Sequence, residues 1–201
     1  MRNTAPIRSD HPSPISCGPN LLDIQETAKY TPRHKKEVLI NQVQQFLEKY
    51  ASKSEVQGKI IYPALRPVAE CHQAGITTGI LSAGYEDGIR MILKAAGYYD
   101  SFDFLLANPL ETDGRRVTGF KLNILRNKAE VLRKLLEERQ LEADRVVYLG
   151  DKVDDAGCFE IAGYPVVSFL APDSLKEQFA RQYGAFVPQD EGDLADYLKC
   201  V

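Results

Sequence analysis

Three carboxylates, Asp151, Asp154 and Asp155, lie within five positions directly after the apolar run 146–150. A short apolar run bounded by glycine is typical of a buried strand. Carboxylates clustered at a strand end repel one another unless a cation neutralises them. Oxygen ligands of this kind suit a hard cation, and Mg²⁺ first of all. An acidic turn that caps the next helix has the same composition, so these residues leave both interpretations open.

Ser82 follows a second apolar run, residues 76–81, and precedes Ala83 and Gly84. Helix-compatible sequence then extends from residue 85 to 96, so we expect Ser82 at the start of a helix. A hydroxyl and backbone N–H groups in that position bind phosphate readily. The alternative is an ordinary surface serine.

Lys128 stands near the N-terminal end of a predicted helix, residues 127–139. The residues expected to face inward are Val131, Leu132, Leu135 and Leu136. A lysine in this position is able to contact both a phosphate and the acidic turn. A solvated surface lysine is the alternative.

The order strand–Ser82, helix–Lys128 and strand–Gly150-Asp151-x-x-x-Asp155 resembles motifs II, III and IV of the haloacid dehalogenase (HAD) superfamily. The resemblance is greatest to its phosphoserine phosphatase-like branch, whose hairpin before the lysine is similar to residues 107–119. It extends from residue 61 to about 198. It implies a HAD-like α/β fold, a Rossmannoid three-layer sandwich with a parallel sheet. It also implies a Mg²⁺-dependent phosphomonoester hydrolase.

The resemblance implies a role for each matching residue. Lys128 pairs with the phosphate and with the nucleophile, and Asp151 is the principal metal ligand, while Asp155 binds the metal or its waters. Asp154 stands where the branch usually has Asn, which leaves its substrate contact open. The residues expected to bind the phosphoryl group are Ser82, Ala83, Gly84 and Lys128.

The first motif of the superfamily has no clear counterpart in this chain. It is a hydrophobic strand ending in Asp-x-Asp-x-Thr/Val, and it supplies the nucleophile and the general acid/base. Residues 21–27 keep Asp23 and Thr27 but have Gln25 in place of the second Asp. Asp10 begins a fainter match with no strand before it. The nucleophile is therefore unassigned, with Asp23 and Asp10 as candidates.

Three hypotheses about function follow. The chain is a phosphoserine phosphatase-like enzyme acting on a small phosphorylated metabolite, or a non-catalytic relative that binds a phosphorylated ligand or protein partner. In the third hypothesis, the chain has lost its N-terminal strand by truncation or through a misplaced gene start. In the family that strand lies between those ending at Ser82 and Asp151. Without that strand, three arrangements are possible. Residues before Thr31 take its position in the sheet, the two flanking strands pair with each other, or copies of the chain associate through their strand edges as a homo-oligomer.

The composition excludes several other classes. The 201 residues are 44% apolar and 26% charged, which is ordinary for a globular protein. A net charge of -3 gives no electrostatic footprint for nucleic acid. No apolar run is long enough to span a membrane, and the start lacks the apolar core of a signal peptide. The histidines show no zinc-ligand spacing. Four cysteines without a Cys-x-x-Cys pair are typical of thiols in a reducing cytoplasm.

The chain divides into three parts by composition and pattern. Residues 1–29 are rich in Pro, Ser, Asn and Thr and predict an irregular arm. Residues 30–58 are helical in pattern and, by resemblance, a cap remnant. Residues 59–201 form the HAD-like α/β core, in which alternating strands and helices predict a parallel, doubly wound sheet. The strands expected there are 76–81, 102–107, a hairpin over 110–120, 146–150, 165–169 and 185–187.

Overall fold

The computed structural model describes residues 62–201. The predicted arm (1–29) and cap remnant (30–58), with the nucleophile candidates Asp10 and Asp23, lie outside the described residues.

Helices and strands alternate along the described part of the chain. The helices are α1 (Tyr62–Gln73), α2 (Glu86–Ala96), α3 (Lys128–Arg139), α4 (Ala156–Phe159), α5 (Asp173–Tyr183) and α6 (Glu191–Cys200). The strands are β1 (Gly79–Tyr85), β2 (Phe104–Asn108), β3 (Leu110–Thr112), β4 (Val117–Phe120), β5 (Val147–Gly150) and β6 (Tyr164–Val167). Three short 3-10 helices lie at Tyr99–Ser101, Ala143–Arg145 and Val153–Asp155.

Two parallel strand pairs carry the candidate site. Strand β1 pairs with β2, and β5 pairs with β6, each pair in parallel orientation. Ser82 lies within β1, and the acidic turn follows the carboxyl end of β5, the end of a parallel strand at which ligands bind in open α/β sheets. Within residues 62–201, β1 and β5 are not hydrogen-bonded to each other. The hypothesis that these two strands pair directly is therefore wrong.

A buried hydrophobic cluster holds α3, α4 and α5 against β5 and β6. Phe159 lies at its centre and contacts Tyr148, Phe179 and Tyr183 in edge-on arrangements, with ring centroids 5.7, 5.0 and 5.9 Å away. From α3, the buried leucines are Leu132, Leu135 and Leu136. Each such side chain contributes roughly 1.5–3 kcal/mol through burial. This packing fixes the start of α3 next to the turn after β5.

The predicted hairpin is confirmed as the antiparallel pair β3–β4. Its turn contains Gly114 at φ 87°, a left-handed conformation that glycine adopts without strain. The Asp113 carboxylate accepts hydrogen bonds from the backbone N–H groups of Arg115 and Arg116. These bonds lower the pKa of Asp113, the one from Arg116 most strongly.

Several predicted boundaries need correction. Strand β1 covers residues 79–85 rather than 76–81, because the extended backbone continues through Ser82 to the buried side chain of Tyr85. Strand β2 ends at Asn108 and β6 at Val167, since the chain turns there. The last predicted strand, residues 185–187, is reduced to a parallel bridge between Val166 and Phe186. Within residues 62–201, none of the helices has the length and apolar character needed to cross a bilayer.

Candidate functional site

A buried ion pair joins the start of α3 to the acidic turn after β5. The Nζ atom of Lys128 donates to Oδ1 of Asp155 at 2.7 Å, and the two side chains are 10% and 3% exposed. Lys128 is the first residue of α3, and Asp155 lies five positions beyond the end of β5. A charge-assisted hydrogen bond in such a dry environment is among the stronger polar contacts in proteins. The expected contact between Lys128 and the acidic turn is therefore present.

The Asp155 carboxylate closes the turn as well as holding the lysine. Its Oδ1 also accepts from the hydroxyl of Tyr148 at 2.9 Å. Its Oδ2 accepts from the backbone N–H groups of Asp151 and Lys152, each at 3.0 Å. A carboxylate offers about four acceptor directions, and four protein donors occupy them here. The role of Asp155 as a metal ligand stays a prediction, and these contacts give it a different task.

Gly150 allows this turn to form. A Cβ atom at position 150 would lie 2.7 Å from Cβ and 2.8 Å from Cγ of Asp155. Carbon atoms of side chains do not approach so closely, so any larger residue would push the carboxylate away from its donors. Glycine at the end of β5 is therefore required by the close approach of Asp155.

Asp151 and Asp154 differ from Asp155 because both are exposed. Their carboxylates lie in the segment that follows the carboxyl end of β5, where a hard cation would find oxygen ligands. Within the described ranges, no group of three metal-ligating side chains is close enough to hold an ion. Mg²⁺ is bound through one or two protein carboxylates and keeps several waters. The donor chemistry at Asp151 fits such an ion, with other ligands from water or a phosphoryl group.

Tyr148 is a contact of the site that the sequence analysis did not identify. Burial, followed by the nearby Asp155 charge, raises the pKa of the Tyr148 phenol far above its ordinary value. The phenol is therefore protonated at all physiological pH values and always available as a donor to Asp155. Burial also raises the pKa of Cys158, so its thiol stays protonated. A tyrosine in an otherwise aliphatic strand, two residues before Gly150, was the available signal.

Ser82 lies inside β1 and not at the start of a helix, which corrects the expectation from the sequence. The strand pairing is irregular between Leu81 and Tyr85, and α2 begins only at Glu86. The Oγ atom of Ser82 accepts from the N–H of Gly84 at 3.0 Å. Because this bond uses a lone pair of the oxygen, the hydroxyl proton is left to be donated to an anion. The expected phosphate contact therefore depends on the hydroxyl more than on a helix N-terminus.

Asn108 connects the Ser82 turn to the segment that leads into α3. Its Nδ2 donates to the carbonyl oxygens of Ala83 at 2.8 Å and Ile124 at 2.9 Å. Its Oδ1 accepts from the N–H of Ile124 at 2.7 Å. The residue is 0% exposed. From the sequence, Asn108 was expected only as part of the segment 107–119 that resembles the family hairpin. A polar residue at the end of an apolar strand was the signal for its role.

Comparison with protein-family models gives one match to the core and to part of the preceding sequence. The model described as "haloacid dehalogenase-like hydrolase" matches residues 21–160, which is more than half of the chain. Comparison with curated proteins gives no match.

Solved structures share the fold at low sequence identity. A substrate-bound phosphoserine phosphatase is 24% identical with a TM-score of 0.52, and the match covers 69% of this chain and 62% of the phosphatase. A protein of unknown function from Bordetella pertussis Tohama I is 18% identical with a TM-score of 0.58, covering 82% and 78%. A probable phosphoserine phosphatase from Vibrio cholerae, in unliganded form, is 20% identical with a TM-score of 0.51, covering 66% and 41%. The chain thus spans less than two thirds of both phosphatases.

Proposed function

We propose, because the chain belongs to the haloacid dehalogenase-like hydrolase family, that it hydrolyses phosphomonoesters with Mg²⁺ and acts on a small phosphorylated metabolite. The observation that carries the proposal is the buried pair of Lys128 and Asp155 next to the exposed carboxylate of Asp151. An ammonium group fixed at the start of α3 and an exposed carboxylate in the turn after β5 are suited to a phosphoryl group and its cation.

Each side chain of the site has its own role in binding a phosphoryl group. The Lys128 ammonium neutralises charge on the phosphoryl oxygens, and the Ser82 hydroxyl donates to one of them. Gly84 lacks a side chain and so permits a close approach of the phosphate to the backbone. Asp155 keeps the lysine in place. Asp151 would hold Mg²⁺, with Asp154 nearby as a contact to substrate or to metal-bound water, and the ion supplies further charge neutralisation.

We assign the nucleophile to Asp23. The range matched by the family model begins at residue 21, so it includes Asp23 and leaves out Asp10. A carboxylate oxygen of Asp23 attacks phosphorus while the bond to the leaving oxygen breaks, which gives an aspartyl-phosphate. Water then attacks phosphorus, the carboxylate is released and inorganic phosphate leaves. Such covalent catalysis replaces one difficult step by two easier ones.

A non-catalytic relative that binds a phosphorylated ligand is the second candidate. Gln25, where the family has its general acid/base, is the observation in its favour. Phosphate release from phosphoserine, measured with Mg²⁺ and with EDTA, separates the two. Release that depends on Mg²⁺ supports the hydrolase. Saturable binding of phosphate without any release supports the non-catalytic relative.

Asp151→Asn should abolish saturable Mg²⁺ binding and leave the fold intact. The Asp151 carboxylate is exposed and makes no side-chain hydrogen bond or ion pair within residues 62–201, while amide oxygen is a far weaker ligand for Mg²⁺ than carboxylate. Isothermal titration calorimetry with Mg²⁺ measures the affinity, and circular dichroism checks the fold. Asp144→Asn, the same change before the opposite end of β5, is the control and should bind as wild type. Unchanged affinity in the Asp151 variant would refute the metal assignment.

Lys128→Ala should weaken the binding of inorganic phosphate by well over tenfold, because a desolvated contact between ammonium and phosphate is charge-assisted. Lys134→Ala is the matched control, since Lys134 lies on the same helix with its side chain 74% exposed. Phosphate titrations followed by calorimetry, under conditions where circular dichroism shows folded protein, give both affinities. Equal affinity in wild type and the Lys128 variant would mean that Lys128 does not bind phosphate.

A further inference from the structure

The end of strand β2 places one buried amide between the two elements that would hold the phosphoryl group. Asn108 is 0% exposed and makes three hydrogen bonds of 2.7–2.9 Å to backbone atoms of Ala83 and Ile124. Both N–H hydrogens of its amide have an acceptor, and its oxygen has a donor. These partners fix the orientation of the amide, because the carbonyl groups need Nδ2 and the N–H needs Oδ1.

On the β1 side, Asn108 fixes the orientation of the peptide group between Ala83 and Gly84. The carbonyl of this peptide accepts from Asn108, and its N–H donates to Oγ of Ser82 at 3.0 Å. The peptide plane is thus held at both ends. Because the same N–H orients the Ser82 oxygen, the direction of the serine hydroxyl depends on the bond made by Asn108.

On the α3 side, Asn108 holds the chain four residues before Lys128. Ile124 offers both its N–H and its carbonyl to the amide, which fixes the backbone there in two directions. The next turn is closed by the N–H of Leu125, which donates to Oδ1 of Asn127 at 2.8 Å. Helix α3 begins at the following residue. A shift of Ile124 would therefore move the origin of the Lys128 side chain.

We propose that Asn108 is a positioning residue that sets the spacing between the Ser82 hydroxyl and the Lys128 ammonium, and thereby the affinity for phosphate. This inference rests on the proposed function, because it concerns the phosphate site of that reaction. Among residues of this size, only asparagine offers two donors and one acceptor at the required reach. Aspartate would present an oxygen to two carbonyl groups at less than 3 Å in a buried location, where the repulsion is not screened.

The test compares phosphate affinity with stability in Asn108→Asp and Asn108→Ala. We expect both variants to bind inorganic phosphate, in the presence of Mg²⁺, at least tenfold more weakly than the wild type. Thr78→Val is the matched control. It removes the hydrogen bond that the hydroxyl of the buried residue Thr78 donates to the carbonyl of Ser101, at the opposite end of the β1–β2 pair. This control should lose stability in urea while it keeps the phosphate affinity of the wild type.

The pH dependence supplies a readout that a merely structural role would not change. The carboxyl introduced by Asn108→Asp is buried next to two carbonyl groups, so its pKa is expected above the ordinary value of about 3.9. Once protonated, it donates a hydrogen bond as the amide does. Relative to wild type at each pH, phosphate affinity of Asn108→Asp should therefore recover as the pH falls from 8 to 5. Asn108→Ala has no such group and should show no recovery.

The outcomes separate this inference from the proposed function. Phosphate binding that Lys128→Ala weakens, and that neither Asn108 variant weakens, would overturn the positioning role and leave the proposed function standing. Equal losses of affinity in Thr78→Val and the Asn108 variants would also overturn it, because the effect would then follow stability alone. A wild-type protein that does not bind phosphate would overturn both. If Asn108→Asp does not fold at neutral pH, the phosphate affinity of Asn108→Ala tests the positioning role by itself.

Discussion

Asp155→Asn is expected to lower the free energy of unfolding by about 3–5 kcal/mol, the usual cost of removing one partner from a buried ion pair. The change leaves the Lys128 ammonium, 10% exposed, without its counter-charge. It also puts an amide NH₂ where one carboxylate oxygen had accepted two hydrogen bonds. The free energy of unfolding of an ordinary domain is about 5–15 kcal/mol, so the variant should lose a large share of its stability. Urea unfolding followed by circular dichroism measures the effect.

The matched control for this change is Asp154→Asn, which removes the same charge one residue earlier in the chain. Asp154 is exposed, and changes at exposed sites usually stay within about 0.5 kcal/mol. The double variant Asp155→Asn with Lys128→Met should recover part of the loss, because it removes both buried charges together. A urea midpoint for Asp155→Asn equal to that of Asp154→Asn would show that the pair does not stabilise the turn.

Helices α2 and α5 and the hairpin β3–β4 were predictable because each carries a local sequence signal. Helix α5 was expected over residues 173–183 and is found at Asp173–Tyr183, ended by Gly184 in the left-handed conformation. Helix α2 ends before Gly97 for the same reason. The hairpin β3–β4 was predictable from its Asp113-Gly114 turn. Glycines with positive φ end the two helices and form the hairpin turn, and other residues rarely adopt that backbone conformation.

The site was predictable as a set of residues but not as a set of contacts. Ser82, Lys128 and the acidic turn were identified by residue type and order. The contact between Lys128 and the acidic turn was expected, but the sequence did not show that Asp155 is the residue that makes it. Nor did it show that the same carboxylate accepts from Tyr148 and from the backbone of the turn. The location of Ser82 inside β1 depends on pairing with β2, which local propensity does not report. Asn108 acts between segments 16 and 25 residues away for the same reason.

Asp23→Asn is expected to reduce phosphomonoester hydrolysis to the background rate, and Asp10→Asn to leave it unchanged. Asparagine cannot form the acyl phosphate, so the covalent route is closed. Asp10 is the control because it lies outside the range that matches the family model, which begins at residue 21. Phosphate release and trapping of the phosphoenzyme by mass spectrometry measure the effect. Activity lost in Asp10→Asn and kept in Asp23→Asn would exchange the two assignments.

Gln25→Asp should act in the opposite direction and raise turnover, because it restores a carboxyl group two residues after the proposed nucleophile. A positioned general acid/base contributes typically 10²–10⁴-fold. Glutamine cannot protonate a leaving alkoxide, so the wild-type chain should favour aryl phosphates, whose leaving groups need no proton, over phosphoserine. The substitution should therefore raise kcat/KM for phosphoserine more than for p-nitrophenyl phosphate. An equal gain for both substrates, or none, would mean that position 25 does not reach the leaving group, and that the resemblance of residues 21–27 to the first motif is superficial.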